Sequence, residues 1–258
     1  MNTKTLRFFS WITLFAFLPS GAVLAAPAGQ ITQSSGYVAV SSPTGAPKAV
    51  GSGEGVENGQ TVTVGDNARA VIKFQDGQIV ALQSKSIFKV NSYKYDQAAP
   101  EKGESFFSLL QGGLRAVTGL IGANNSAGWK LATPTVTIGI RGTDFMAVVN
   151  EGVYLKVDAG AISATNSAGT TVLTAGQTGV AASGTSLATV VPAASVPAGT
   201  FGELGAINLS AVGGSAAGSS AAAAGTVFGV PTAILVGVGI AGAAAAAASS
   251  HGNSTTRH

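Results

Sequence analysis

The chain has 258 residues, enough for one well-buried domain with appendages or for two small domains. Only 10% of it is charged, and 36 glycines with abundant alanine make it too apolar for a disordered chain and too glycine-rich for a helical bundle, which leaves many short strands joined by tight turns. Cysteine is absent, which excludes disulfides, thiol catalysis and thiolate metal ligation, and the net charge of +3 comes without the aromatic-interleaved basic stripe that nucleic-acid binding needs.

Residues 1–25 read as a secretory signal: Lys4 and Arg7 form a basic start, Phe8 to Leu18 is apolar, and Val23-Leu24-Ala25 offers small residues for cleavage. The mature chain is expected to begin near Ala26. The alternative, an uncleaved anchor, asks an apolar run that is short for a span of about 20 residues. Four zones follow. Residues 30–182 hold nearly all the charge and most of the aromatics and read as one β domain. Residues 183–225 read as a Gly/Ala/Ser-rich linker carrying one charge, Glu203. Residues 226–248 are uncharged and apolar, and 249–258 form a polar tail.

Within the β domain, Val62 and Val64 alternate with threonines. Ala70, Ile72 and Phe74 then lead to Asp76-Gly77, followed by Ile79 and Ala81. Asp-Gly between alternating runs predicts a two-residue hairpin in which Phe74 faces Ile79 and Ile72 faces Ala81. Arg69, Lys73 and Gln75 then mark the opposite face as wet. Residues 91–104 break the pattern and read as a surface excursion. Phe106 to Leu110 resumes it, and Gly112-Gly113 reads as a turn. From Trp129 onward the strands are dense. Val136, Ile138 and Ile140 precede Phe145, Ala147 and Val149, with turns expected at Asn150-Glu151-Gly152, Asp158-Ala159-Gly160 and Asn166 to Gly169. The expected fold is all-β, an antiparallel sandwich or roll of many short strands, with a Gly/Ala-rich C-terminal extension.

The 226–248 segment is long enough to span a bilayer, and Ala233, Gly237 and Ala241 recur at the spacing that lets membrane helices approach closely. Its alanine content contributes little insertion energy, so a transmembrane helix and a low-complexity packing segment both stand.

Five residues are candidate partner-binding or structural positions. Arg141 precedes Gly142 and is read either as an anion-binding arginine or, preferentially, as one paired with a nearby carboxylate to pin a bend. Thr143 and Asp144 supply acceptors in the same turn. Asp76 occupies the turn slot of the Asp-Gly hairpin. Trp129 is read as a core ring in preference to part of a carbohydrate platform with Tyr93 and Tyr95. Neither carboxylate is expected to be catalytic, His251 and His258 lie in the tail away from the domain, and no ligand-spaced His/Asp/Glu set calls for a metal or other cofactor.

An ordered set of pieces resembles the FecR domain of bacterial envelope proteins: Phe74-Gln75-Asp76-Gly77, Leu109 to Arg115 (LLQGGLR), Leu131-Ala132-Thr133-Pro134, Ile140 to Phe145 (IRGTDF), Val157-Asp158-Ala159-Gly160 and Ala175-Gly176-Gln177. The resemblance implies an extracytoplasmic β-rich module. In the sensor that gives the family its name, a cytoplasmic segment and a membrane helix precede this domain. The segment here is a short signal, so binding or scaffolding in the periplasm or envelope is the part expected to carry over, and sigma-factor regulation is not. The leading expectation is therefore a non-enzymatic envelope binding or signalling/scaffold module of FecR type, recognising a protein or glycan partner. The alternative is a surface-assembly protein anchored or self-associating through 226–248.

Overall fold

The computed structural model describes residues 27–207 and 209. The expected signal segment, the 226–248 segment and both histidines lie outside the described residues. In chain order the elements are β1 (Gly29–Ser35), β2 (Val38–Ser41), β3 (Lys48–Ala49), β4 (Gly55–Val56), β5 (Thr61–Val64), β6 (Arg69–Phe74), β7 (Ile79–Leu82), β8 (Ile87–Lys94), β9 (Glu104–Val117), α1 (Leu120–Asn124), β10 (Trp129–Ala132), β11 (Thr137–Asn150), β12 (Gly152–Asn166), β13 (Gly169–Thr174), β14 (Thr178–Ala181), β15 (Thr189–Val191) and α2 (Gly202–Gly205). The fold is all-β, as expected. Its ladders are antiparallel except for β9 with β10, which run parallel because the connection through α1 crosses back before Trp129. No helix among the described residues is long and apolar enough to cross a membrane.

Three long strands organise the domain: β9, β11 and β12 have 14, 14 and 15 residues. Each changes partners midway. The first part of β9 pairs with β8 and β10, and from Gly112 it pairs with β7 and β11. The far half of β12 pairs with β13 and its near half with β14. Each long strand carries a glycine with positive φ at the change: Gly112 (74°), Gly142 (57°) and Gly160 (73°). Between Arg141 and Asp144 the register with β12 shifts. These are bulges at a corner, where a strand leaves one sheet layer for the other. The turns expected at Gly112-Gly113 and Asp158-Ala159-Gly160 are therefore bends inside continuous strands. Glycine signals backbone freedom, and only the ladder on either side tells a bend from a reversal.

The first hairpin departs from the expected register by one residue. Lys73 faces Ile79, Ile72 faces Val80 and Val71 faces Ala81. Gly77 N–H donates to Phe74 O (3.0 Å) and Phe74 N–H to Gln78 O (2.9 Å), so four residues, 75–78, make the connection. Gly77 alone takes positive φ there (84°), whereas a two-residue type I′ turn needs it at both central residues. The excursion expected from residue 91 starts later, because β8 runs on to Lys94 against β9 and buries Tyr93.

The concave side of the bent sheet encloses the main core. Its centre is a train of rings, Tyr93–Phe74–Phe107–Trp129–Phe145 with Phe88 beside Phe107, at centroid separations of 5.0 to 6.1 Å. Each fully buried ring contributes about 2–3 kcal/mol by leaving water. The opposite face of β6 and β7, expected to be wet, is a second core. Val71, Ile79, Ala81, Val117, Met146 and Val148 lie there under Leu204, Ile207 and Leu209. Glu203 pins this cover by accepting from Ser84 N–H (3.1 Å) and from Ser84 Oγ (3.0 Å). Residues 183–207, expected as the front of a linker, thus supply β15, which pairs with β14, and α2, whose Leu204 is buried. Their small-residue composition hid the few apolar side chains that do the covering.

Candidate functional site

Asp76 sits in the four-residue hairpin but reaches far beyond it. Its side chain is 2% exposed. Oδ1 accepts from Gln78 N–H (3.1 Å) and from the Tyr93 hydroxyl (3.0 Å), and Oδ2 accepts from Ile121 N–H (3.2 Å) at the start of α1. Leu120 N–H also donates to the Asp76 carbonyl (2.9 Å). Burial raises the Asp76 pKa above the ordinary 3.8, although the Gln78 and Ile121 N–H groups and the Tyr93 hydroxyl pull it down. Burial, with the Asp76 charge, also pushes the Tyr93 hydroxyl up. Trp129 joins the same assembly, because its Nε1–H donates to Gln78 Oε1. Asp76 and Trp129 are therefore linked through Gln78 inside the core. They tie the hairpin to the crossover and to β10, and both are buried. Asp76 was expected to serve local turn geometry, and its reach to α1 was not visible from spacing.

Thr143 and Asp144 lie at the corner. Thr143 is buried. Its N–H donates to Thr118 Oγ1 (2.8 Å), and Thr118 N–H donates back to Thr143 O (2.9 Å), which stitches β11 to the end of β9 across the bulge. Asp144 forms a bidentate pair with Arg115, whose Nε and Nη2 donate at 2.8 and 2.7 Å. The two side chains are 18% and 13% exposed. The Asp144 hydrogen bond raises the Arg115 pKa against the opposing effect of burial. The carboxylate expected for Arg141 thus belongs to Arg115. The two arginines lie on either side of the corner: Arg141 stands before the register shift, and Arg115 lies on the part of β9 that pairs with β11 after it. Arg115→Ala strands a largely buried carboxylate and is expected to cost roughly 2–3 kcal/mol, with Arg115→Lys recovering only part because it cannot make the fork. Equilibrium unfolding of the two variants checks this.

Arg141 is exposed and joins no ion pair among the described residues. It stands on a face that none of the described residues covers, running across β8, the first half of β9, β10, the first half of β11, the far half of β12, and β13. The ladder places Lys130 beside Phe106, Gly139 beside Ser163, and Ser163 beside Val172. The next row runs Ala132, Thr137, Thr165 and Thr170. Phe106 and Val172 are 41% and 58% exposed. A shallow groove of about 550 Å³ runs here, lined by Ser126, Lys130, Thr137, Gly139, Ser163 and Thr165. Sequence reasoning singled out Arg141 and missed the rest. Their signal was the alternate positions Thr137-Gly139-Arg141 and Ala161-Ser163-Thr165, which carry hydroxyls and small residues with no acid. Among the described residues no three His, Asp or Glu side chains stand close enough to share a metal ion.

Residues 60–163 match the family model described as FecR protein. The match runs from the residue before β5 into the far half of β12 and takes in the bulged corner, the Asp76 hairpin and most of the uncovered face. No curated protein matches. Among solved structures, two crystal structures of a candidate anti-sigma factor from Parabacteroides distasonis, at 2.50 and 1.65 Å resolution, align at 11% identity with a TM-score of 0.40. Each alignment covers 51% of this chain and 57% of that one, so the chain spans little more than half the length of that protein. The ordered pieces from Phe74 to Gly160 thus fall inside the FecR domain matched over residues 60–163.

Proposed function

We propose that this protein is a non-enzymatic FecR-type module of the cell envelope that recognises a protein or glycan partner on the uncovered face of its sheet. One observation carries the reading. The domain seals one outer face with Phe201, Leu204, Ile207 and Leu209, and among the described residues the other, with Arg141 and Lys130, is open over six strands. A closed core with an open sheet face suits recognition. The carboxylates Asp76 and Asp144 are committed to holding the fold, so neither is offered to a substrate. Export by residues 1–25, membrane association through 226–248 and residence in the periplasm or envelope belong to the same proposal.

A photo-crosslinking residue at Thr165, on the open face, tests it in cells expressing the full chain. The expected result is a chain found in the envelope fraction and an adduct that is lost when the probe is moved to Lys48, at the rim. A chain retained in the cytosol, or adducts equal at both positions, overturns the proposal.

A further inference from the structure

We infer that the uncovered face binds an acidic polysaccharide, a chain of sugar rings bearing carboxylates. This rests on the proposed binding role of that face and names the class of partner it fits.

The first ground is charge. Lys130 and Arg141 stand on this face with no ion pair among the described residues, and Lys89 joins them at the β5 side, opposite Thr61 and Ser108. The acid on the same face, Glu104, is already paired with Lys94 at 3.1 Å. The face is therefore cationic, with its acid neutralised. Strands lie about 5 Å apart, and alternate residues along a strand are separated by about 7 Å. The bases of Lys130 and Arg141, on neighbouring strands and offset by one alternate position, therefore stand about 8 Å apart. Two flexible cations at that distance reach two carboxylates borne by successive rings of one chain.

The second ground is shape and chemistry. Around the cations the sheet presents Gly139, Ala132 and Ala161, with Ser163, Thr137 and Thr165 beside them. Small residues let a flat ligand approach the backbone. Hydroxyls both donate and accept, as sugar hydroxyls do. Phe106 lies beside Lys130 and is 41% exposed, which offers an aromatic face to the C–H side of a ring. A protein interface of ordinary kind draws on buried Tyr, Trp, Met and Arg anchors and is poor in Ser and Lys. This face is rich in Ser, Thr and small residues with Lys89 and Lys130, and Phe106, Val172 and Arg141 are set among them. The groove is shallow and open-ended across β10 to β12, so it suits a polymer lying over it better than a small molecule enclosed by it.

Calorimetric titration of the full chain with polygalacturonate oligomers tests this, with dextran and polyglutamate as controls. Polygalacturonate is expected to bind with affinity falling as salt rises, dextran not to bind, and polyglutamate to bind at least tenfold more weakly because it has charge without rings. The double variant Lys130→Gln/Arg141→Gln is expected to lose at least tenfold in affinity with its unfolding midpoint unchanged, since neither side chain joins an ion pair among the described residues. Phe106→Ser is expected to lose several-fold. Hydrogen exchange on the unaltered protein provides a readout without variants: polygalacturonate should protect amides of β10, β11 and β12 near Lys130, Gly139 and Ser163. Equal binding of polyglutamate, unchanged affinity in the double variant, or protection elsewhere overturns the inference. Absence of polygalacturonate binding together with a protein adduct at Thr165 overturns the glycan assignment and leaves the binding module standing. Absence of any adduct from an exported chain removes the module reading itself.

Discussion

Gly160→Ala is expected to abolish stable folding, at a cost of about 4 kcal/mol or more. A Cβ at Gly160 would stand 1.8 Å from the Gly142 carbonyl oxygen and 2.9 Å from that of Arg141, all of it backbone with no side chain to swing aside. The φ of 73° adds strain that an L side chain does not accept readily. The corner at which β11 and β12 turn together depends on these two glycines lying back to back. Relief would require the bulge between Arg141 and Asp144 to open, and with it the Thr118–Thr143 stitch and the Arg115–Asp144 pair. Gly176→Ala is the control. It has similar φ (83°) but nothing within 4 Å of its would-be Cβ, so it is expected to cost only about 1 kcal/mol from backbone strain. Urea unfolding of the two variants side by side decides the matter. Equal midpoints would show that the corner tolerates a rearrangement the static geometry forbids.

Asp76→Ala is expected to cost roughly 3 kcal/mol or more, since Gln78 N–H, Ile121 N–H and the Tyr93 hydroxyl lose their acceptor in a dry site. Asp76→Asn should cost less, about 1–3 kcal/mol. Its amide nitrogen must face a donor, because both carboxylate oxygens accept from N–H groups in the native protein. The pH dependence has a definite sign. Burial raises the folded pKa above 3.8, so in the window just above 3.8 the folded chain holds a proton that the unfolded chain has released. The contribution to stability is full below 3.8 and is lost as pH rises through the raised folded value. Asp76→Asn should flatten the unfolding free energy across that window. Chemical denaturation of both proteins from pH 3.5 upward measures this. A slope of the same size in the Asn variant would assign the effect to another carboxylate.

Several features were legible because they depend on local chemistry. Alternation placed the inward residues Ile138, Ile140, Phe145, Ala147, Leu155 and Val157 correctly, and all of these are buried. The turns at Asn150-Glu151-Gly152 and Asn166 to Gly169 are where the pattern put them. The ordered pieces carried a resemblance to the FecR domain. They fall where the family match and the bulged corner lie, apart from Ala175-Gly176-Gln177, which follows the matched residues. The hairpin register failed for a local reason with a long-range cause. Asp-Gly permits both a two-residue turn and the four-residue one observed, and the longer one lets Asp76 turn inward to meet Ile121 N–H, 45 residues away.

The candidate site was legible only in part. Arg141 was chosen for standing next to a glycine in a conspicuous motif, and its partner was expected among its neighbours. The Gly142 bulge instead gives Asp144 to Arg115 and leaves Arg141 outside. Lys130, Ser163 and Phe106 come from three different strands, and nothing in linear spacing joins them. The cover over Val71 and Met146 was hidden for the same reason, since Leu204 and Ile207 are too few to show a period.

Alternation, turn residues and the glycine positions by themselves determined that this chain is a β protein, where its inward residues lie, and that the Ile140-to-Phe145 segment bends, and its ordered motifs carried the resemblance to the FecR domain. These are properties of a strand and of its immediate neighbours. Only the tertiary structure decided which face is sealed and which is open, and that the bend at Arg141-Gly142 parts two charges that adjoin in sequence. A residue's face is set by its period, but what covers that face is set by strands and segments tens of residues away. The motif met first as a label thus marks a corner, with Thr143 and Asp144 holding it from within and Arg141 left on the open side.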